Sequence, residues 1–322
     1  MRRREFVTLV GGTAVWPMAA FAEQRLPRIG ILLFGQAAPS ADLQICGKLA
    51  RIGYVEGRDI VYEIRGADGD LSRVPALARD LVATKPTVLV GSTAQIAVAL
   101  SDATHDIPIV ITLVSDPIAI GLSASMARPT RNVTGFTISS LSLAAKRLEL
   151  LHELVPAATR IAYLWAPQNP SAKFYKSSVQ QAAEMLGIDV VSLPLTSEAD
   201  IAGAFTRVDE ARVTAVLIEA DVLTYRLSGN IVDQCLIRNL PAMHSWATQV
   251  RNGALMSYGP AEPENNARAA VYVDRILKGA KVADLPFEEP TEIKLVINLR
   301  TARSIGLALP PAFVMRADEV IE

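Results

Sequence analysis

Short β-branched apolar runs alternate with longer amphipathic segments along almost the whole chain, and this alternation leaves few folds open. RIGILLF, DIVYEIR, TVLVGS, PIVITLV and VTGFTI, between residues 28 and 138, read as strands bounded by Gly, Pro, Asp or Asn. Between them ADLQICGKLARIG, LSRVPALARDLVATK, TAQIAVALSDAT and DPIAIGLSASMA carry apolar residues at helical spacing. Strand, helix and strand repeated in this way predict a parallel sheet covered on both faces. After Ser140 the plan restarts with the long helical stretch LAAKRLELLHELVP, followed by strand candidates RIAYLWA, DVVSLPL, AVLIEAD, PAMHSW and ALMSYGP with helices between them. The tail from Pro260 adds a helix through ENNARAAVYVDRILKGA, the Pro-punctuated crossing DLPFEEP, a strand EIKLVINL and a short helix TARSIGL. The expected fold is α/β and two-lobed, each lobe a parallel sheet with helices on both faces. The first lobe is expected to take residues 27–139 plus 260–283, and the second 140–259 plus 284–322.

The first 22 residues do not fit that plan. MRRREFVTLVGGTAVWPMAAFA has a basic start, an apolar middle and a small-x-small end at Ala20-Phe21-Ala22, the form of an export signal to be left out of fold reasoning. Arg3-Arg4 followed by Phe6 resembles a twin-arginine signal, which carries proteins across a membrane already folded. The remaining chain of about 300 residues suits two domains better than one core. The formal net charge is only -1, which gives no reason to expect a nucleic acid or an anionic membrane as partner. No later apolar run is long enough to span a bilayer, and no cysteine follows the signal for lipid attachment. The expected place is the periplasm, with no stable membrane anchor after cleavage. Cys46 and Cys235 fall in different lobes and read as buried free thiols.

No catalytic signature stands out. His105, His152 and His244 have no second ligand at metal spacing, so no metal or cofactor is expected, and nucleophile-elbow, phosphate-loop and dinucleotide motifs are absent. In open parallel sheets ligands sit beyond the carboxyl ends of the strands, where helix N-termini offer unpaired N–H groups. Ser92 and Thr93, Ser115 and Asp116, Asn169, Asp221, Trp246 and Tyr258 all occupy such ends, as does Phe34, and each can also be read as an ordinary cap, turn or core residue. Their shared location argues for one site. Ser92-Thr93 would take a carboxylate at a helix N-terminus, Asp116 or Asp221 an ammonium, and Phe34, Trp246 and Tyr258 would form apolar walls.

Five stretches carry a family resemblance: GYVEGRDIVYEIRGADGD, DPIAIGLSASMARPTRNVTGFT, KRLELLHELVP, GALMSYGP and YVDRILKGAKVADLPFEEPTEIKLVINLRTARSIGLALPP. Collinear over nearly the whole mature chain, they resemble the substrate-binding proteins of ABC transporters of the tryptophan/tyrosine type. The resemblance implies a type I periplasmic binding protein fold with three crossings between lobes, a hinge that opens and closes, and delivery of a small-molecule ligand to an ABC transporter permease. It implies binding of an aromatic amino acid or related aromatic acid without catalysis. The family's ligand-facing loops map onto the segments around Phe34, Ser92-Thr93, Ser115-Asp116, Asn169, Asp221, Trp246 and Tyr258. A periplasmic enzyme exported folded and a ligand-sensing receptor domain are the rival readings of the residues.

Overall fold

The computed structural model describes residues 26–39, 43–138, 140–260 and 262–322. The expected export signal lies outside the described residues. The first sheet is built from β1 (Arg28–Leu33), β2 (Val61–Gly66), β3 (Val88–Gly91), β4 (Ile109–Val114) and β5 (Val133–Thr137), in the order β2-β1-β3-β4-β5 and parallel throughout. Its helices are α1 (Gln44–Arg51), α2 (Val74–Ala83) and α3 (Ala94–Ala103). β3 is buried along its whole length because helices cover both faces, whereas β2, at the sheet edge, is only half-buried.

The second sheet begins after α4 (Ser140–Leu154). β6 (Arg160–Trp165), α5 (Ala172–Leu186), β7 (Asp189–Pro194), α6 (Asp200–Glu210), β8 (Ala215–Ile218), α7 (Val222–Arg226), α8 (Ser228–Ile237), β9 (Ala242–His244), α9 (Ala247–Arg251) and β10 (Met256–Pro260) follow. α10 (Glu262–Leu277) then returns to the first sheet, where Ala269, Tyr272, Val273 and Ile276 join the core under α1 and β5. The chain finally re-enters the second sheet with β11 (Ile293–Asn298), α11 (Leu299–Ser304), α12 (Pro311–Val314) and β12 (Glu319–Ile321), giving the order β12-β11-β10-β9-β8-β6-β7.

Two expectations are corrected here. β11 runs antiparallel to β10, so the second sheet is not wholly parallel. β10 leaves its sheet at the end facing the first lobe, and the returning chain comes in at that same end, so β11 must run the other way. The second correction is DPIAIGLSASMA, which is no helix but a chain of turns. Pro117 accepts at its carbonyl from Leu122 and Ser123, Gly121 turns through φ +78°, and the Ser123 hydroxyl and Thr130 tie the rest together.

The return crossing keeps to the first lobe beyond residue 284. Thr134 donates its hydroxyl to the Leu285 carbonyl, and the Glu288 amide donates to the Gly135 carbonyl at 2.9 Å. Glu288 is then held twice from α10, accepting from the Tyr272 hydroxyl at 2.6 Å and pairing with Arg268, whose guanidinium lies 4.7 Å from the centre of the Phe136 ring. Because the pair is partly solvated, Glu288→Ala is expected to cost only about 1 kcal/mol globally. Its local effect should be larger: amide hydrogen exchange across residues 285–292 should speed up by more than that of β3. Uniform acceleration of both would show that Glu288 does not pin this crossing.

Candidate functional site

A cleft of about 750 Å³ lies between the lobes, walled by the carboxyl ends of β1, β3, β4 and β5 from one side and by the loop after β6, α5, α7 and the β9 end from the other. Of the nine residues expected at a site, Phe34, Ser92, Thr93, Ser115, Asn169, Asp221 and Trp246 line it. Each is there because parallel strands all discharge their chains at one edge. Thr93 caps α3, its hydroxyl accepting from the Ile96 amide at 3.2 Å. This leaves the first amides of a ten-residue helix beside the cleft, a setting suited to a carboxylate.

Asp116 and Tyr258 are elsewhere. The Asp116 carboxylate accepts from the amides of Ile118 and Ala119 at 2.8 and 3.0 Å, closing the turn after β4, and is absent from the cleft wall. Tyr258 sits in β10, where strand alternation puts it on the same core as Met256, under α4. The residue matters through its backbone instead, because its carbonyl accepts from Arg147 Nε at 2.6 Å. Next to it, Gly259 has room for no side chain, since a Cβ there would lie 2.0 Å from the Ser245 carbonyl oxygen.

Asp221 caps α7, accepting from the Leu223 amide at 2.7 Å, and is 6% exposed. Burial pushes its carboxyl up from the ordinary range, against the hydrogen bonds from Leu223 and Gln95 that pull it down. Beneath the floor lies a polar group that the strand-end reading did not assemble. Asn169 donates to Glu219 at 3.2 Å and accepts from the Ser171 amide at 2.9 Å, so its carboxamide is fixed. Glu219 also accepts from the Tyr163 hydroxyl at 2.5 Å. Burial raises the Glu219 carboxyl well above the usual carboxylate range, with the nearby Asp221 charge adding to it. Arg147, fully buried in α4, is lowered by that burial to about 10 and so stays charged at neutral pH.

The lobes touch across the cleft. Ser115 donates to Ser171 at 2.5 Å, Gln95 Nε2 donates to Asp221 Oδ2 at 3.0 Å, and Leu113 and Ile138 of one lobe meet Ala220 and Trp246 of the other. Arg226, at the end of α7, reaches over the Phe34 ring at 6.0 Å. Gln95, Tyr175 and Arg226 line the cleft and were missed from sequence. Gln95 had a readable signal, since it follows the Thr93 cap by two residues and the first turn of that helix had to face the strand ends. Arg226 had none. Among the described residues no group of three or more His, Cys, Asp or Glu could hold a metal, and no helix is long and apolar enough to cross a membrane.

A family model described as ABC transporter substrate binding protein matches residues 39–321. The tyrosine-binding protein of Clostridioides difficile (strain R20291) is 27% identical over 256 residues, covering 79% of this chain and 73% of that protein. Two solved structures overlay closely. The ABC domain in complex with L-Trp from Streptococcus pneumonia has a TM-score of 0.82 at 27% identity, covering 92% of this chain and 100% of that one. A conserved domain protein from Vibrio cholerae has a TM-score of 0.84 at 26% identity, again covering 92% and 100%.

Proposed function

The chain belongs to the ABC transporter substrate binding protein family, and from that premise we propose that it closes its two lobes on an aromatic amino acid in the periplasm and presents it to a cognate permease. The observation that carries the ligand class is the composition of the cleft: a helix N-terminus at Ser92-Thr93 on one lobe, the buried acid Asp221 on the other, and the aromatic side chains of Phe34 and Trp246. A zwitterion with a flat apolar side chain satisfies all three. Its carboxylate meets the amides of α3, its ammonium meets Asp221, and its ring lies among Phe34, Leu113 and Trp246. The tyrosine-binding relative and the L-Trp complex support the same class. Asp116 is committed to its own turn, and Asp68, which also lines the cleft, is paired with Arg73, so the amine is assigned to Asp221.

Closure, rather than chemistry, is the output. The ligand buries itself between two surfaces that meet through few direct bonds, so occupancy shifts the hinge equilibrium and the closed form signals the transporter. The test is a thermal-shift series with L-tryptophan, L-tyrosine, L-phenylalanine, indole-3-propionate and short-chain carboxylates. At a hundredfold excess over Kd a ligand adds about 2.7 kcal/mol, which for a chain of this size is a rise in Tm of roughly 4 °C. The aromatic amino acids should give it and be recovered unchanged. A rise with the short-chain carboxylates alone would refute the aromatic reading, and turnover of a bound compound would refute binding without catalysis.

A further inference from the structure

Asp221 does two things at once in this fold. It faces the cleft from the second lobe, and its Oδ2 accepts from the side-chain amide of Gln95, a residue of the first lobe 126 positions earlier in the chain. That bond exists only while the lobes are together. We propose that Gln95 is a positioning residue through which recognition of the ligand's amine is converted into lobe closure. The inference rests on the reading of Asp221 as the ammonium partner.

A buried carboxyl with no counter-charge gains from being neutral, and a neutral acid is a poor acceptor for an amide N–H. An ammonium placed beside Asp221 reverses this. It holds the group as a carboxylate, and hydrogen bonds to an ionised acceptor are roughly twice as strong as those between neutral groups. The bond from Gln95 is then strongest when an amine is bound, so the closed form is favoured by ligands carrying one. A second direct hydrogen bond across the cleft, between Ser115 and Ser171, joins two neutral hydroxyls and has no such dependence. Capping of α7 does not need Gln95, because the Leu223 amide bonds Oδ1 while Gln95 bonds Oδ2. Gln95 itself is partly exposed in the first turn of α3, where a replacement of similar length does not disturb the core.

L-tryptophan and indole-3-propionate, which share a ring and a carboxylate and differ in the amine, separate this role from a structural one. Calorimetric titration and small-angle scattering are run on the wild type, Gln95→Met and Gln95→Glu. In Gln95→Met the affinity for L-tryptophan should fall about tenfold while that for indole-3-propionate stays within about twofold, because only the first ligand draws on the bond. The scattering radius should shrink with L-tryptophan in the wild type and shrink less in the variant. Gln95→Glu, which sets a second acid against Asp221, should exceed the methionine variant in both effects and keeps the test open if methionine perturbs folding. Equal losses for the two ligands, or none, overturn the coupling and leave the ligand reading standing. Failure of the wild type to bind L-tryptophan overturns the ligand reading, and this inference with it.

Discussion

Arg147→Ala is expected to lower the unfolding free energy by about 3–5 kcal/mol, the range for removing one partner from a buried charged network. Arg147 is 1% exposed, so its charge is held inside the protein and out of water. Its guanidinium is held by the Tyr258 carbonyl on one side and surrounded by Tyr163, Tyr175 and Glu219, while Nη2 has no partner among the described residues. Truncation removes the cation that favours ionisation of Glu219, leaves a buried carbonyl without its donor, and opens a cavity between α4 and the second sheet. Arg147→Met separates these effects. It refills most of the volume and removes the buried charge, so its cost should be smaller by about 2 kcal/mol. Urea denaturation of the two variants and the wild type at pH 7 measures both numbers, with the m-value showing whether unfolding remains cooperative. A loss below 1 kcal/mol for alanine would mean that the guanidinium is solvated in a way its burial does not suggest.

The polar floor explains much of what was and was not legible in the sequence. Strand ends are legible because a parallel sheet delivers them to one edge whatever the details of packing, which is why Ser92, Asn169, Asp221 and Trp246 could be placed on a common wall before any coordinates. What alternation leaves open is which way a side chain leaves the strand. Tyr258 and Trp246 were both expected at strand ends, yet Trp246 stands just beyond β9, whereas Tyr258 lies within β10 and is turned into the core. Asp116 failed for a different reason. A short acid at the head of a turn can satisfy its own backbone, and this one does so with two amides. The same turn defeated the helix expected over DPIAIGLSASMA, where the apolar spacing was right but serine hydroxyls and a left-handed glycine offered the backbone better partners.

Arg147, Tyr163 and Glu219 show the remaining limit. Arg147 and Tyr163 lie in segments read correctly as helix and strand, Glu219 stands one residue past the end of β8, and none carries a local mark of its partners. Their meeting depends on α4 packing over the second sheet, a long-range contact that spacing does not encode. Gln95 and Asp221 are the same kind of case across the cleft. Their bond joins two helix starts that are each predictable, but the pairing depends on how the lobes close. Sequence thus located the surfaces, and packing decided which of their residues work together.

His244 should make the protein lose stability in mild acid, to an extent that one substitution can reveal. It lies in β9, fully buried, and neither ring nitrogen has a hydrogen-bond partner among the described residues. Burial lowers its pKa from 6.5 to about 4, so the folded chain holds it neutral while the unfolded chain protonates it. The unfolded state therefore binds more protons below pH 6.5, and the contribution of a neutral His244 is complete above that pH and is lost as the pH falls towards 4. The difference amounts to about 2.5 kcal/mol at pH 4.5. Glu219 and Asp221 act with the opposite sign, because their raised carboxyls take up protons more readily when folded, and they offset part of the loss in the wild type. The comparison that isolates the histidine is His244→Leu, which has similar volume and nothing to titrate. Urea denaturation at pH 7.5 and 4.5 should show the variant gaining about 2.5 kcal/mol on the wild type over that interval, with the contributions of Glu219 and Asp221 cancelling in the difference. A constant gap would mean that the protonated His244 ring finds a hydrogen-bond acceptor inside the second lobe, and that the β9 core tolerates a charge.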